Sequence, residues 1–252
     1  MTFRSMLAGA AVALLRAVPP RPLEALVGRL VDLRSRGLAP ADGLRLVLGV
    51  QSRLEAPLGA IAEAYDGGLH VKHRLTRYHD FFVRHVRAGE RVLDVGCGNG
   101  FLAHDIAVRA GAKVRAIDID PLKVARASAR HAHPSIDYEL RDVLSGPLGD
   151  PADVVVMSNV LEHLPGREAL LARLARDLAP RAILVRVPLF DRDWTVPLKR
   201  ELGLDWRSDP THETEYTVES FAAEVAAAGL TIASQEIRWG EIWAVLAREP
   251  ER

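Results

Sequence analysis

The 252-residue sequence predicts an α/β fold: a doubly wound, mostly parallel seven-stranded sheet with a helical N-terminal extension. Three observations carry this reading. From Arg91 onward, short apolar runs alternate with helix-period segments, the pattern of parallel strands joined by crossover helices. The first of these runs ends in Gly96, Gly98 and Gly100, directly before a helical segment. The last two runs are separated by Trp239-Gly240 alone, a hairpin length, so the final strand lies antiparallel beside its predecessor.

Taken in order, residues 1–89 carry helical periodicity and no strand-like run. Leu23, Leu26, Val27, Leu30 and Val31 recur at three and four, as do Leu44, Val47, Leu48 and later Phe81, Phe82, Val86. Breaks fall at Pro19-Pro20, Gly37 to Pro40, Pro57 and Gly67-Gly68. Met6 to Leu15 is apolar between Arg4 and Arg16 and loosely resembles a signal-peptide core. Such a run is too short to cross ~30 Å of hydrocarbon as a helix. The expectation is a mature cytoplasmic protein, with peripheral membrane contact of the N-terminal helices as the minority reading. Beyond residue 90, strands are expected at 91–95, 113–117, 136–140, 153–157, 181–187, 230–237 and 241–247, with helices near 101–110, 121–131, 166–178 and 217–228. The domain reading is a helical extension or cap over 1–89 and a cofactor-binding domain over 90–252, with 188–216 as an insertion.

Composition narrows the function. With 33 basic and 33 acidic side chains the net charge is zero, which excludes a globally basic nucleic-acid binder. Neutrality conceals a division: residues 1–89 carry a balance of +6 and residues 90–252 a balance of −6. Cys97 is the only cysteine, which excludes an internal disulfide and argues against a cysteine-based zinc site.

The most informative stretch is Arg91-Val-Leu-Asp-Val-Gly-Cys-Gly-Asn-Gly100. Glycines after a buried strand let the backbone turn sharply and let a ligand approach without a Cβ in the way. The next strand ends at Asp118, where a carboxylate is placed to accept from the two hydroxyls of a ribose. Two cofactor classes compete. Gly98-Asn-Gly100-Phe-Leu-Ala103 fits the dinucleotide fingerprint, so an NAD-type oxidoreductase stays in view. Three features point elsewhere: Asp94 inside the strand can face a positively charged ligand, Asp142 after the third strand supplies an acid near the expected adenine end, and the terminal hairpin is not part of the dinucleotide half-fold. A third class, a non-catalytic cofactor-binding module, has no physical need for Asp94, three glycines and Asp118 together.

On these residues the sequence resembles the class I S-adenosylmethionine-dependent methyltransferases, with their Rossmann-like fold. The match lies in Val92-Leu-Asp-Val-Gly-Cys-Gly-Asn-Gly100, Val114-Arg-Ala-Ile-Asp118, Arg141-Asp-Val143 and Asp153-Val-Val-Val-Met-Ser-Asn-Val-Leu-Glu-His-Leu164. The resemblance implies S-adenosylmethionine as cofactor. Asp94, Gly96 and Gly98 would line its methionine part, with Cys97 as a small loop-filling residue and Gly100 at the tight approach to the helix. Asp118 would hold the ribose, Ile119 pack on the adenine, Asp142 accept from the adenine amino group and Val143 donate its backbone amide. Ser158 and Asn159 would lie beside the methyl sulfonium.

Methyl transfer is an in-line displacement on an already activated carbon, so the protein chiefly supplies alignment and desolvation. A general base is needed only where the acceptor must lose a proton. The candidates are His163, His212 and Glu213. The aromatic-rich connection 188–216 reads as a substrate lid through Trp194, Trp206 and Tyr216. Before the first strand, Tyr65, His70, His73 and Arg74 are substrate-binding candidates, on either a basic face for an anionic acceptor or a simply solvated one. His70 and His73 have metal-compatible spacing, but without a carboxylate-rich partner motif no metal is expected. Ser158-Asn-Val-Leu161 stands where amine methyltransferases of nucleic-acid bases carry an Asn/Asp-Pro-Pro-aromatic tetrapeptide, so nucleic acid is not expected as partner. The expected acceptor is a small molecule, a lipid-linked intermediate or a glycan, methylated on oxygen. The sequence specifies no oligomeric state.

Overall fold

A computed structural model describes residues 18–248; the apolar run Met6–Leu15 lies outside them. Among the described residues, seven strands form one sheet: β1 (Arg91–Val95), β2 (Lys113–Asp118), β3 (Ile136–Leu140), β4 (Val154–Ser158), β5 (Ala182–Pro188), β6 (Leu230–Arg238) and β7 (Glu241–Arg248). Their order is β3-β2-β1-β4-β5-β7-β6, the expected doubly wound sheet. β1 pairs in parallel with β2 (Val92 opposite Val114) and with β4 (Val92 opposite Val154). β7 runs antiparallel to both β5 and β6. The hairpin between β6 and β7 has positive φ at both Trp239 and Gly240, the two-residue turn whose twist matches the strands.

Among the described residues, four helices precede the sheet: α1 (Pro20–Arg36), α2 (Pro40–Tyr65), α3 (Lys72–Thr76) and α4 (Tyr78–Arg84). Between strands lie α5 (Phe101–Asp105), which continues in π geometry over Ile106–Ala110, then α6 (Pro121–Arg130), α7 (Arg167–Asp177), α8 (Thr195–Glu201) and α9 (Val218–Ala227). Local chemistry starts them. Asp120 caps α6 by accepting from the Leu122 amide at 2.8 Å, with Pro121 at the first helical position. Thr217 and Ser220 form a reciprocal capping box on α9. α8 lies inside 188–216, where the sequence reading assigned no helix.

Side-chain alternation gives the sheet two apolar faces. Leu93, Val95, Val155, Met157, Ile183 and Val185 pack with Leu171 and Leu174 of α7 and Phe221 of α9. Val92, Val114, Val156 and Leu184 pack with Phe81 and Phe82 of α4 and Ile106 beyond α5. This second cluster explains where the compact units divide. One contains the described residues up to Ile61 with Lys199–Leu204; the other contains Ala62–Leu198 with the residues from Asp205 onward. The boundary falls at Ile61/Ala62 and not at residue 89, because α4 supplies two phenylalanines to the sheet's own core. Within the first unit, the Arg45 guanidinium donates to the Leu202 carbonyl at 3.1 Å. No helix among the described residues is long and apolar enough to cross a membrane.

The turn after β1 depends on glycine at position 100. Its φ is +82°, and a Cβ there would stand 2.8 Å from the Tyr138 hydroxyl and 2.9 Å from the Ala127 Cβ. Gly100→Ala is expected to lower folding stability by about 2–4 kcal/mol, combining left-handed strain with overpacking. Equilibrium denaturation in urea checks it; an unchanged midpoint would mean that the loop has slack.

Candidate active site

Ligands of open α/β sheets bind outside the carboxyl ends of the strands. A cavity of about 240 Å³ opens there, lined by Asp94, Gly96, Gly98, Ser158, His73 and Tyr78 among others. His70 and Cys97 also reach it. A roomier groove, about 340 Å³, sits at the opposite ends of the strands beside Arg91, Lys113 and Asp150, away from the glycine loop.

Asp94 shares the sheet face of Val92 by alternation, and it is 1% exposed. Its Oδ2 has no hydrogen-bond partner. Burial, with the Asp118 charge adding, pushes its carboxyl up to about 8. A fully buried carboxyl group with an unpartnered oxygen at a cavity wall is suited to a cationic ligand. Gly96 is held against Val160, whose Cγ2 would lie 2.5 Å from an added Cβ. At Gly98 (φ +57°) the Cβ position is open space, so the bare backbone faces the cavity. Asp118 fixes this loop: its Oδ2 accepts from the Gly98 amide at 2.8 Å and its Oδ1 from the Asp120 amide at 2.9 Å.

Other expected cofactor residues stand outside that cavity, along the ends of β2 and β3. Ile119 is 69% exposed. Asp142 accepts from the Leu144 amide and the Ser145 hydroxyl, while Val143 is buried. Asn159 follows β4 in a left-handed conformation (φ +54°), a turn that Asn tolerates, and its amide donates to the Arg186 carbonyl.

That turn leads into a second polar cluster. The 3₁₀ turn Leu161–His163 meets the segment 209–216 through the Glu162 carbonyl, which accepts from the Glu213 amide at 2.8 Å. Glu162, His163 and His212 then converge, one ligand atom of each lying within 4.8 Å of the others. Glu162 is fully buried, neither of its carboxyl oxygens has a hydrogen-bond partner among the described residues, and burial pushes it up to about 7. His212 is buried too, with Nε2 4.0 Å from Glu162 and Nδ1 3.1 Å from Glu215. Against the cost of its own burial, Glu215 is held down to about 2 by His212, the Ser208 amide and Arg192. His163 Nδ1 lies 2.9 Å from the Thr211 hydroxyl. Glu213, by contrast, contributes its backbone and leaves its side chain exposed.

Arg186 is a residue that the sequence reading missed. It is buried in β5, paired with both oxygens of Glu241 (2.7 and 2.9 Å), donating to the Ser158 hydroxyl (3.1 Å) and stacked 3.7 Å over the Tyr78 ring. The available signal was an arginine inside the apolar run Ala182-Ile-Leu-Val-Arg-Val. Tyr78 in turn reaches His73 Nδ1 at 3.0 Å, and burial, with the His79 charge adding, lowers His73 to about 3.

The expected substrate residues scatter. Tyr65 and Trp194 are largely exposed, Arg74 pairs with Asp66 at 3.2 Å, and Trp206 packs edge-on against Phe190. Tyr216 does not face a cleft. It is 1% exposed in the core beside Phe221, with its hydroxyl donating to Glu224, because its backbone bridges to Leu189 at the end of β5.

A family model described as "Methyltransferase domain" matches residues 68–235. The ubiquinone biosynthesis O-methyltransferase of Xanthomonas oryzae pv. oryzae (strain PXO99A) is 41% identical over 97 residues, 37% of this chain and 40% of that protein. Its namesake from Thiobacillus denitrificans is 41% identical over 97 residues, 37% of this chain and 41% of that protein. The aligned stretch thus spans about two fifths of these relatives. Among solved structures, magnesium protoporphyrin IX methyltransferase from Synechocystis PCC 6803 with bound SAH superposes with a TM-score of 0.56 at 22% identity, covering 71% of this chain and 85% of that one. That likeness is one of fold.

Proposed function

The chain belongs to the methyltransferase-domain family, and from that membership we propose that it transfers a methyl group from S-adenosylmethionine to a hydroxyl oxygen of a small molecule. The observation that carries the cofactor is the orphaned, buried Oδ2 of Asp94 beside the open backbone of Gly98. A cationic nucleoside fits this donor set: a carboxylate for its charge and a bare backbone for close approach. Asp94, Gly96, Cys97 and Gly98 hold the methionine end. Asp118, immobilised by two amides, keeps a second lone pair on each oxygen for the ribose hydroxyls. Ile119, Asp142 and Val143 serve the adenine end, and Ser158 and Asn159 flank the reacting centre. When bound, S-adenosylmethionine supplies a methyl group on a positively charged sulfur.

The acceptor side of the reading rests on the Glu162–His163–His212 cluster, which lies on the turn leaving β4. The acceptor hydroxyl docks there and gives up its proton, which passes to solvent at the half-buried His163 edge of the cluster. Oxygen as the acceptor atom is supported by the relatives named ubiquinone biosynthesis O-methyltransferase. The test is mass spectrometry after incubating the full chain with S-adenosylmethionine and a panel of phenols, catechols, sugars and hydroxy acids. The expected product carries a methyl group in place of one hydroxyl hydrogen. Methylation confined to nitrogen or carbon would overturn the oxygen assignment.

A further inference from the structure

The proton bookkeeping around Glu162 is unusual. The Thr211 hydroxyl has one hydrogen, and it donates that hydrogen to Asp209 Oδ1 at 2.6 Å. Its oxygen therefore accepts from His163 Nδ1–H, which leaves His163 Nε2 with a lone pair. On the other side, Glu215 Oε1 lies 3.1 Å from His212 Nδ1, which turns His212 Nε2 toward Glu162 at 4.0 Å. Two imidazole edges and a carboxyl group whose oxygens have no hydrogen-bond partner among the described residues thus converge on one point, with Glu162 and His212 buried. A buried carboxyl group with no partner is costly.

We propose that Glu162, His163 and His212 form a binding site for one divalent transition-metal ion, whose open coordination positions take the hydroxyl oxygen of the methyl acceptor. A cation at the point of convergence gives each of these three groups a partner. Two imidazoles and one carboxylate suit a first-row transition ion better than magnesium, which prefers oxygen donors throughout. The outer arrangement is of the kind that orients ligands: Glu215 holds the far nitrogen of His212 and is itself anchored by Arg192 and Ser208. Thr211 does the same for His163. Three protein ligands leave positions for the acceptor, whose hydroxyl then loses its proton to solvent at neutral pH. The acceptor clause rests on the methyl-transfer reading above; the metal site itself does not.

The experiment uses tag-free full-length chain, stripped with a chelator and dialysed, then titrated with Zn²⁺ and Mn²⁺ in a calorimeter. One equivalent is expected to bind to wild type, and Glu162→Gln and His212→Gln are expected to weaken binding by at least ~10–100-fold. His131→Gln, in a separate imidazole group with His104, leaves the stoichiometry unchanged. Because the two ligand variants disturb a buried cluster, Co²⁺ is also added to wild type alone. Visible ligand-field bands of nitrogen and oxygen coordination are expected, without thiolate charge transfer. Absence of saturable binding in wild type, or equal affinity in all variants, overturns the site. Binding that persists while methyl transfer is indifferent to chelation overturns the acceptor role and leaves the oxygen-methylation reading standing. Binding of S-adenosylhomocysteine is expected to survive chelation, which separates failure of the metal site from failure of the cofactor site.

Discussion

Asp94→Asn is expected to weaken S-adenosylmethionine binding by roughly 10–100-fold, the loss of one charge-assisted contact in a water-excluded place. The substitution preserves shape and removes only charge, so the fold should persist. The pH dependence follows from the carboxyl being pushed up to about 8 by burial and the neighbouring Asp118. The ligand-free protein therefore holds a proton on Asp94 below that pH, whereas the unfolded chain releases it near its ordinary value. This group's contribution to folding stability is fully present at acid pH and is lost as pH rises through about 8. Cofactor binding has the opposite sign. A cation prefers the ionised carboxylate, so binding below about pH 8 expels a proton and tightens with rising pH, by at most ~10-fold per unit. Calorimetry in two buffers of different ionisation enthalpy reads this proton directly, and Asp94→Asn should abolish it. A variant with the same affinity and the same proton release would remove Asp94 from the site.

Arg186→Met should cost about 3–5 kcal/mol of stability, because it leaves Glu241 largely buried and without its cation. The side chain of Arg186 is 4% exposed and that of Glu241 18%, so water compensates little. The double variant Arg186→Met, Glu241→Leu is expected to recover a substantial part of that loss, since replacing both partners removes the orphaned charge. Denaturation midpoints of the two single variants and the double variant check this. A double variant as unstable as Arg186→Met alone would show that the stacking on Tyr78 and the bond to Ser158 carry the effect instead.

The sheet was legible because strands buried on both faces write themselves as continuous apolar runs, and Trp239-Gly240 left room for nothing but a hairpin. The glycine loop was legible because its chemistry is local: Asp94, Gly96 and Gly98 are neighbours in sequence and in space. The Glu162–His163–His212 cluster was only half legible. Glu162-His163 stands in the sequence as a pair and His212 and Glu213 stand as base candidates, but the carboxylate against His212 is Glu215, in an irregular segment with no periodicity to consult. Tyr216 illustrates the same limit, since an aromatic residue in a long connection reads alike whether it faces substrate or fills the core. Arg186 was hidden by its strand, where burial on both sides turns one charge into a buried ion pair whose partner lies on β7, far along the chain.

Asp94, the glycine loop and Asp118 together build a site for a cationic nucleoside. Equilibrium titration of the full chain with S-adenosylhomocysteine and, separately, with NAD tests it most directly. One molecule of S-adenosylhomocysteine per chain should bind in the micromolar range or tighter, with no saturable binding of NAD. Saturable binding of NAD with none of S-adenosylhomocysteine would contradict it.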